Sequence, residues 1–120
     1  MSIQDLFNLD KKTAFISGGA TGIGRMAAEA MAMAGARVLI ASRKGSACAS
    51  VAEEINQKGY KGIVESFEGD LSSENGIEAL VKEIKIRTGK LNILMNNSGR
   101  SWGAPLGSFP HSAWEKVMSL

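Results

Sequence analysis

The chain has 120 residues, enough for one domain or for half of a larger one, and its 44% apolar content is sufficient for a packed core. Fourteen basic and twelve acidic residues are interspersed, with net charge +2 and no basic tract of the kind that binds nucleic acid. Apolar runs reach about five residues, well short of the ~20 of a membrane span. The start, Met1-Ser2-Ile3-Gln4-Asp5, lacks the basic and apolar stretches of a signal peptide. A lone Cys48 has no internal disulfide partner, so the expected compartment is reducing and cytoplasmic.

In chain order the apolar pattern alternates between two periods. Thr13–Ser17 reads as a short buried strand. Ile23, Met26, Ala27, Ala30, Met31 and Ala34 then recur at helical spacing, and Gly35 stops that helix. Val38–Ala41 is a second apolar run. Cys48, Val51, Ala52 and Ile55 form a second stripe closed by Gly59. Ile63–Phe67 is a weaker third strand. Ile77, Leu80, Val81 and Ile84 form a third stripe ending at Gly89, and Leu91–Met95 is the fourth strand. Residues 97–110 are rich in Gly, Ser and Pro and read as loop. Ser112-Ala113-Trp114-Glu115 then reads as a capping box that opens a fourth helix, with Trp114, Val117 and Met118 on its apolar face.

The order β-α-β-α-β-α-β, with strands apolar on both faces, predicts an α/β, Rossmann-type, doubly wound parallel sheet covered by helices. Right-handed crossovers give the expected strand order 3-2-1-4. The expected unit is a dinucleotide-binding half-domain over residues 1–120, cut within the fourth helix.

Between the first strand and the first helix runs Ser17-Gly18-Gly19-Ala20-Thr21-Gly22-Ile23-Gly24. Strand–glycine turn–helix is the context in which such a run holds a diphosphate, because the helix N-terminus directs unpaired N–H groups at it. Gly18 is expected to make the tight turn, Gly22 to let the pyrophosphate approach, and Gly24 to let the helix pack closely. The alternative is a glycine-rich turn with no ligand. Arg25 after Gly24 excludes a Walker loop. Two further runs reach the same sheet edge, Asp70-Leu71 after the third strand and Asn96-Asn97-Ser98-Gly99 after the fourth. Taken singly, Asp70 reads as a helix-capping group near Ser72 and Ser73, and the Asn run as turn chemistry.

Together these residues resemble the short-chain dehydrogenase/reductase family over essentially the whole chain. The family's T-G-x-x-x-G-x-G turn is present with Ser17 for threonine, and its N-N-A-G run with Ser98 for alanine. The Asp70-Leu71 pair and the lead-in Lys90-Leu91-Asn92-Ile93-Leu94 are also present, with Asn92 for the usual aspartate. The resemblance implies that Gly18, Ala20, Thr21, Gly22, Ile23 and Gly24 bind the cofactor. It implies that Asp70 and Leu71 meet adenine, and that Asn97, Ser98 and Gly99 line the adenosine side. It also implies a small-molecule carbonyl substrate, with a 3-oxoacyl thioester suggested by residues 96–118, and a homo-oligomer when complete.

The choice of cofactor follows from charge. A ribose 2′-hydroxyl calls for an acid at the end of the second strand, roughly 20 residues past the glycines. Ser42-Arg43-Lys44 stands there instead, so a 2′-phosphate is favoured and NADP(H) is the expected cofactor. The plain alternative is a solvated, charged loop. Many NADP-preferring relatives carry a base where this chain has Thr21. Trp102, in Arg100-Ser101-Trp102-Gly103, is either a substrate-pocket wall or simple packing. His111 is the only histidine, which argues against a metal site.

The family's chemistry uses a tyrosine, a lysine four residues on, a serine and an asparagine. The single tyrosine, Tyr60, is followed four residues on by Val64 and precedes the third strand, so no catalytic residue is assigned. By itself the chain is expected to bind dinucleotide weakly, to catalyse nothing, and to expose the outer edge of its fourth strand. Two other readings remain open: a non-catalytic dinucleotide-binding or interaction module made of this half fold alone, and a methyltransferase-like glycine-rich fold.

Overall fold

A computed structural model describes residues 1–99, 104–108 and 110–119. The elements are α1 (Ile3–Leu6), β1 (Thr13–Ser17), α2 (Gly22–Met33), β2 (Arg37–Ser42), α3 (Gly45–Gln57), β3 (Ile63–Glu68), α4 (Glu74–Arg87), β4 (Ile93–Met95) and α5 (His111–Met118). The four strands form one sheet in the order β3-β2-β1-β4 with every pairing parallel, as the alternating periods predict. No helix among the described residues is long and apolar enough to cross a membrane.

Because strand side chains alternate, β1 and β2 feed two cores. Ile16, Val38 and Ile40 face α2 and α3, meeting Ala28, Ala32, Cys48, Val51 and Ile55. Phe15, Leu39 and Ala41 face the other way, meeting Phe67 and Leu80. There the Phe15 and Phe67 rings stack at 5.9 Å, and the Arg87 guanidinium lies 5.0 Å from the Phe67 centroid. A sheet covered on both faces presents only its edges and strand ends to a ligand.

Several local features differ from the sequence reading. α1 was not expected, yet Ser2 and Asp5 make a reciprocal capping box that holds its single turn. α2 turns a stripe of small residues, Gly24, Ala28 and Ala32, toward the sheet, and its larger apolar residues Ile23, Met26 and Met33 are exposed. The wide apolar distribution on that helix hid which side packs. Gly35 and Gly59 are left-handed helix stops, but Gly89 is not: α4 ends on extended Thr88. Only Leu80 of the third stripe is fully buried. β4 is shorter than expected because Asn92 uses both its backbone N–H and its side-chain oxygen to bracket Thr13. Ser112 does not cap the last helix. Pro110 occupies the N-cap position, and Ala113, not Trp114 or Met118, is the residue buried there. Proline's fixed φ and lack of a donor suit a helix start without any side-chain cap.

Candidate functional site

A cavity of about 430 Å³ opens at the carboxyl ends of β1, β2 and β3, in the size range of small-molecule sites. Three segments wall it. The β1–α2 turn contributes Gly18, Ala20 and Thr21, the β2–α3 turn contributes Ser42, Arg43, Lys44 and Ala47, and the far side holds Gly69, Leu71, Ser98 and Gly99. Of the residues expected at the site, Gly18, Ala20, Thr21, Ser42, Arg43, Leu71, Ser98 and Gly99 line this cavity. Gly22, Ile23, Gly24, Asp70 and Asn97 do not.

The turn after β1 explains its own glycines. Gly18 and Gly22 have φ of 66° and 55°, a region that costs an L-residue roughly 1–2 kcal/mol. Gly24 is required for a different reason. A Cβ there would sit 2.3 Å from the Gly18 carbonyl oxygen and 2.5 Å from Asn97 Nδ2. Gly24 therefore lets α2 close on its own entry turn and on the run after β4, rather than on the sheet. Gly19, passed over in the sequence, is equally constrained: its Cβ would lie 2.6 Å from Ile40 side-chain carbons. Gly22 has open space around its Cβ position, which leaves room for a ligand at the first turn of α2.

The run after β4 is held to β1 by Ser17, which is buried. Its Oγ accepts the backbone N–H groups of Asn97 (3.0 Å) and Ser98 (3.1 Å). Asn97 Nδ2 in turn donates to the Ser17 and Gly18 carbonyls, each at 3.2 Å. Asn97 thus ties the glycine turn to β4 from behind the cavity, which is why it braces the site without lining it.

Asp70 does not cap α4. Its Oδ1 accepts the Ser72 backbone N–H at 2.9 Å and the Ser72 hydroxyl at 2.6 Å, and Ser73 is the cap, accepting the Gly76 N–H at 3.0 Å. The Ser72 hydroxyl and backbone N–H, with a smaller contribution from the Arg43 charge, hold the Asp70 carboxyl below its ordinary value. Arg43 and Lys44 are exposed and form no salt bridge among the described residues. Cys48 is fully buried, which pushes its thiol pKa up, an effect partly offset by its hydrogen bond to Ser42.

Tyr60 lies at the opposite edge of the sheet, in the connection before β3, where its hydroxyl donates to Glu29 at 2.8 Å. Arg100, Ser101, Trp102 and Gly103 fall outside the described residues. Among the described residues no cluster of His, Cys, Asp and Glu could hold a metal ion.

A parallel doubly wound sheet with a glycine turn and a cavity at its central carboxyl edge defines a Rossmann-type α/β protein. The family profile of the short chain dehydrogenases matches residues 12–120, and the chain belongs to that family. Among curated proteins it is 43% identical over 114 residues to the rhamnolipids biosynthesis 3-oxoacyl-[acyl-carrier-protein] reductase of Pseudomonas aeruginosa, spanning 95% of this chain and 43% of the relative. It is 28% identical to the 5-keto-D-gluconate 5-reductase of Escherichia coli K12, over 98% of this chain and 46% of that protein. Among solved structures, the active-site complex of Pseudomonas aeruginosa RhlG with NADP superposes with a TM-score of 0.88 at 43% identity, covering 95% of this chain and 43% of that one. A 3-oxoacyl (acyl-carrier-protein) reductase from Agrobacterium tumefaciens C58 with NADP bound gives 0.86 at 27% identity, covering 99% and 45%. The chain spans less than half the length of these relatives.

Proposed function

We propose that this chain is the NADP(H)-binding part of an oxidoreductase that moves hydride between the nicotinamide and a carbonyl or alcohol substrate. The observation that carries the reading is the shared cavity wall: the glycine turn at Gly18–Thr21 and the basic pair Arg43–Lys44 face one space at the sheet's carboxyl edge. The turn offers backbone N–H groups and the positive end of α2 to a diphosphate. Arg43 and Lys44 offer positive charge to a ribose phosphate about one strand away. The close fit of Gly24 against Gly18 and Asn97 gives the cradle the rigidity such a cofactor requires. Two of the structural relatives above carry NADP, in keeping with this choice.

When bound, the cofactor supplies or accepts a hydride at its nicotinamide ring. The residues of this chain bind and orient it. No described residue is assigned the proton transfer, since Tyr60 is engaged with Glu29 at the other edge of the sheet. The substrate class to try first is a 3-oxoacyl thioester, by likeness to the Pseudomonas aeruginosa reductase. Titration calorimetry with NADPH and NADH tests the reading. Saturable uptake of NADPH, tighter than NADH by tenfold or more, is expected. No uptake of NADPH, or tighter uptake of NADH, overturns it.

A further inference from the structure

Ser42 closes β2 immediately before Arg43, and its hydroxyl lines the cavity turn with no proton left to offer a ligand. Ser42 Oγ donates its one proton to the Lys44 carbonyl at 3.1 Å. The same oxygen accepts the Cys48 thiol at 3.2 Å. Arg43 is therefore bracketed by a short ring, Ser42 side chain to Lys44 backbone. The Lys44 carbonyl also receives the Ala47 and Cys48 backbone N–H groups, at 3.1 and 3.2 Å, as α3 begins. Lys44 makes no side-chain cap for that helix. Cys48 itself is fully buried among Val38, Ile40 and Val51, so the ring is anchored in the core rather than in solvent.

A serine hydroxyl has one proton and two lone pairs. With the proton on Lys44 and one lone pair on the thiol, Ser42 can present only an acceptor to the cavity. A phosphate dianion has no proton to give it. Direct contact would require breaking the ring that shapes the turn.

We propose that Ser42 and Cys48 are positioning residues: thiol and hydroxyl together hold the β2–α3 turn in the form that presents Arg43 to a ribose 2′-phosphate, and neither touches that phosphate. The inference rests on the NADP(H) reading above. It makes the phosphate selectivity depend on a buried side chain that contacts no ligand.

The experiment compares 2′,5′-ADP with 5′-AMP, two probes that differ by the phosphate in question, by titration calorimetry on the wild type and on Arg43→Ala, Ser42→Ala, Cys48→Ala, Cys48→Ser and the Ser42→Ala/Cys48→Ala pair. Wild type should prefer 2′,5′-ADP, and Arg43→Ala should remove most of that preference. Ser42→Ala and Cys48→Ala should each weaken 2′,5′-ADP by roughly 3–10-fold, the range of one lost hydrogen bond, and leave 5′-AMP unchanged. The double variant should be no worse than Ser42→Ala, because both act through one ring. Cys48→Ser, which keeps a donor, should restore the preference. An effect of Ser42→Ala with a silent Cys48→Ala, additive losses in the double variant, or equal loss of both probes overturns the positioning role and leaves the NADP(H) reading standing. A wild type that does not distinguish the probes overturns both.

Discussion

Ser17 Oγ accepts the backbone N–H of Asn97 at 3.0 Å, joining residues 80 positions apart in the chain. A second N–H, from Ser98, reaches the same oxygen. One hydroxyl therefore stitches the end of β1 to the run after β4 and sets the back wall of the cavity. Removing it by Ser17→Ala orphans two donors beside a fully packed core, at a cost of about 2–3 kcal/mol. The expected result is a thermal midpoint lower by roughly 10 °C for a chain of this size. Ser17→Thr keeps the accepting oxygen and should lose less. Equal midpoints for the alanine variant and wild type would show that the stitch contributes nothing.

The glycines of the entry turn should separate into two kinds. Gly24→Ala places a methyl 2.3 Å from the Gly18 carbonyl, a backbone atom that cannot swing aside. Gly22→Ala meets no protein atom within 4 Å and suffers only the cost of a positive φ, roughly 1–2 kcal/mol. Gly24→Ala should therefore lose both dinucleotide uptake and the larger share of thermal stability, whereas Gly22→Ala should melt closer to wild type and lose chiefly dinucleotide uptake. A larger loss of thermal stability for Gly22→Ala than for Gly24→Ala in paired melts would mean that the turn is not the rigid cradle described above.

The sequence made the sheet legible because each strand is a short apolar run between glycine-ended helical stripes, and parallel β-α-β units permit few arrangements. That Gly18, Ala20 and Thr21 share one cavity with Ser42, Arg43 and Lys44 was legible because their spacing from the strand ends is fixed by the same topology. What escaped was side-chain geometry. Gly19 matters through Ile40, a contact between β2 and the turn that no local pattern encodes. The roles of Ser17 and Asn97 depend on β1 and β4 lying side by side, a long-range pairing. The burial of small residues on α2 could not be separated from its exposed Ile23, Met26 and Met33, because apolar residues surround that helix. Asp70 looked like a cap because Ser72 and Ser73 compete locally for the same role, and Ser73 takes it.

Glu65, half-buried on β3, is gripped by Arg37 through Nε and Nη2 and approached by Arg87 at 3.4 Å. Arg37 chiefly, with Arg87 adding to it, holds the Glu65 carboxyl below its ordinary 4.5, against the opposing effect of burial. A carboxylate with a depressed folded-state pKa adds stability above its unfolded value and loses it as pH falls through the folded one. Glu65→Gln should accordingly cost about 1–3 kcal/mol at pH 7, since it leaves two guanidinium groups short of a charge. The gap should narrow as the pH drops below 4.5 and Glu65 itself takes up a proton. Urea melts of both proteins across that range provide the measurement. A gap that stays constant with pH would assign the loss to packing rather than to charge.

Thr21 offers the most direct way to strengthen the site. It is exposed, lines the cavity beside Gly18 and Ala20, and its hydroxyl makes no capping bond to α2 although it occupies the N-cap position. Replacing it costs little local structure, because no side-chain hydrogen bond is lost at the cap. An arginine there adds a second cation to the cavity that Arg43 also lines, able to grip a 2′-phosphate together with it. Thr21→Arg should tighten NADPH several-fold, about 1 kcal/mol for one charge-assisted contact, and leave NADH nearly unchanged. The gain should shrink at high salt, since both walls of the cavity are open to solvent. Titrations of both cofactors at two salt concentrations measure it. An equal gain for NADH would place the new charge on the diphosphate instead, and no gain at all would put the ribose phosphate out of reach of the glycine turn.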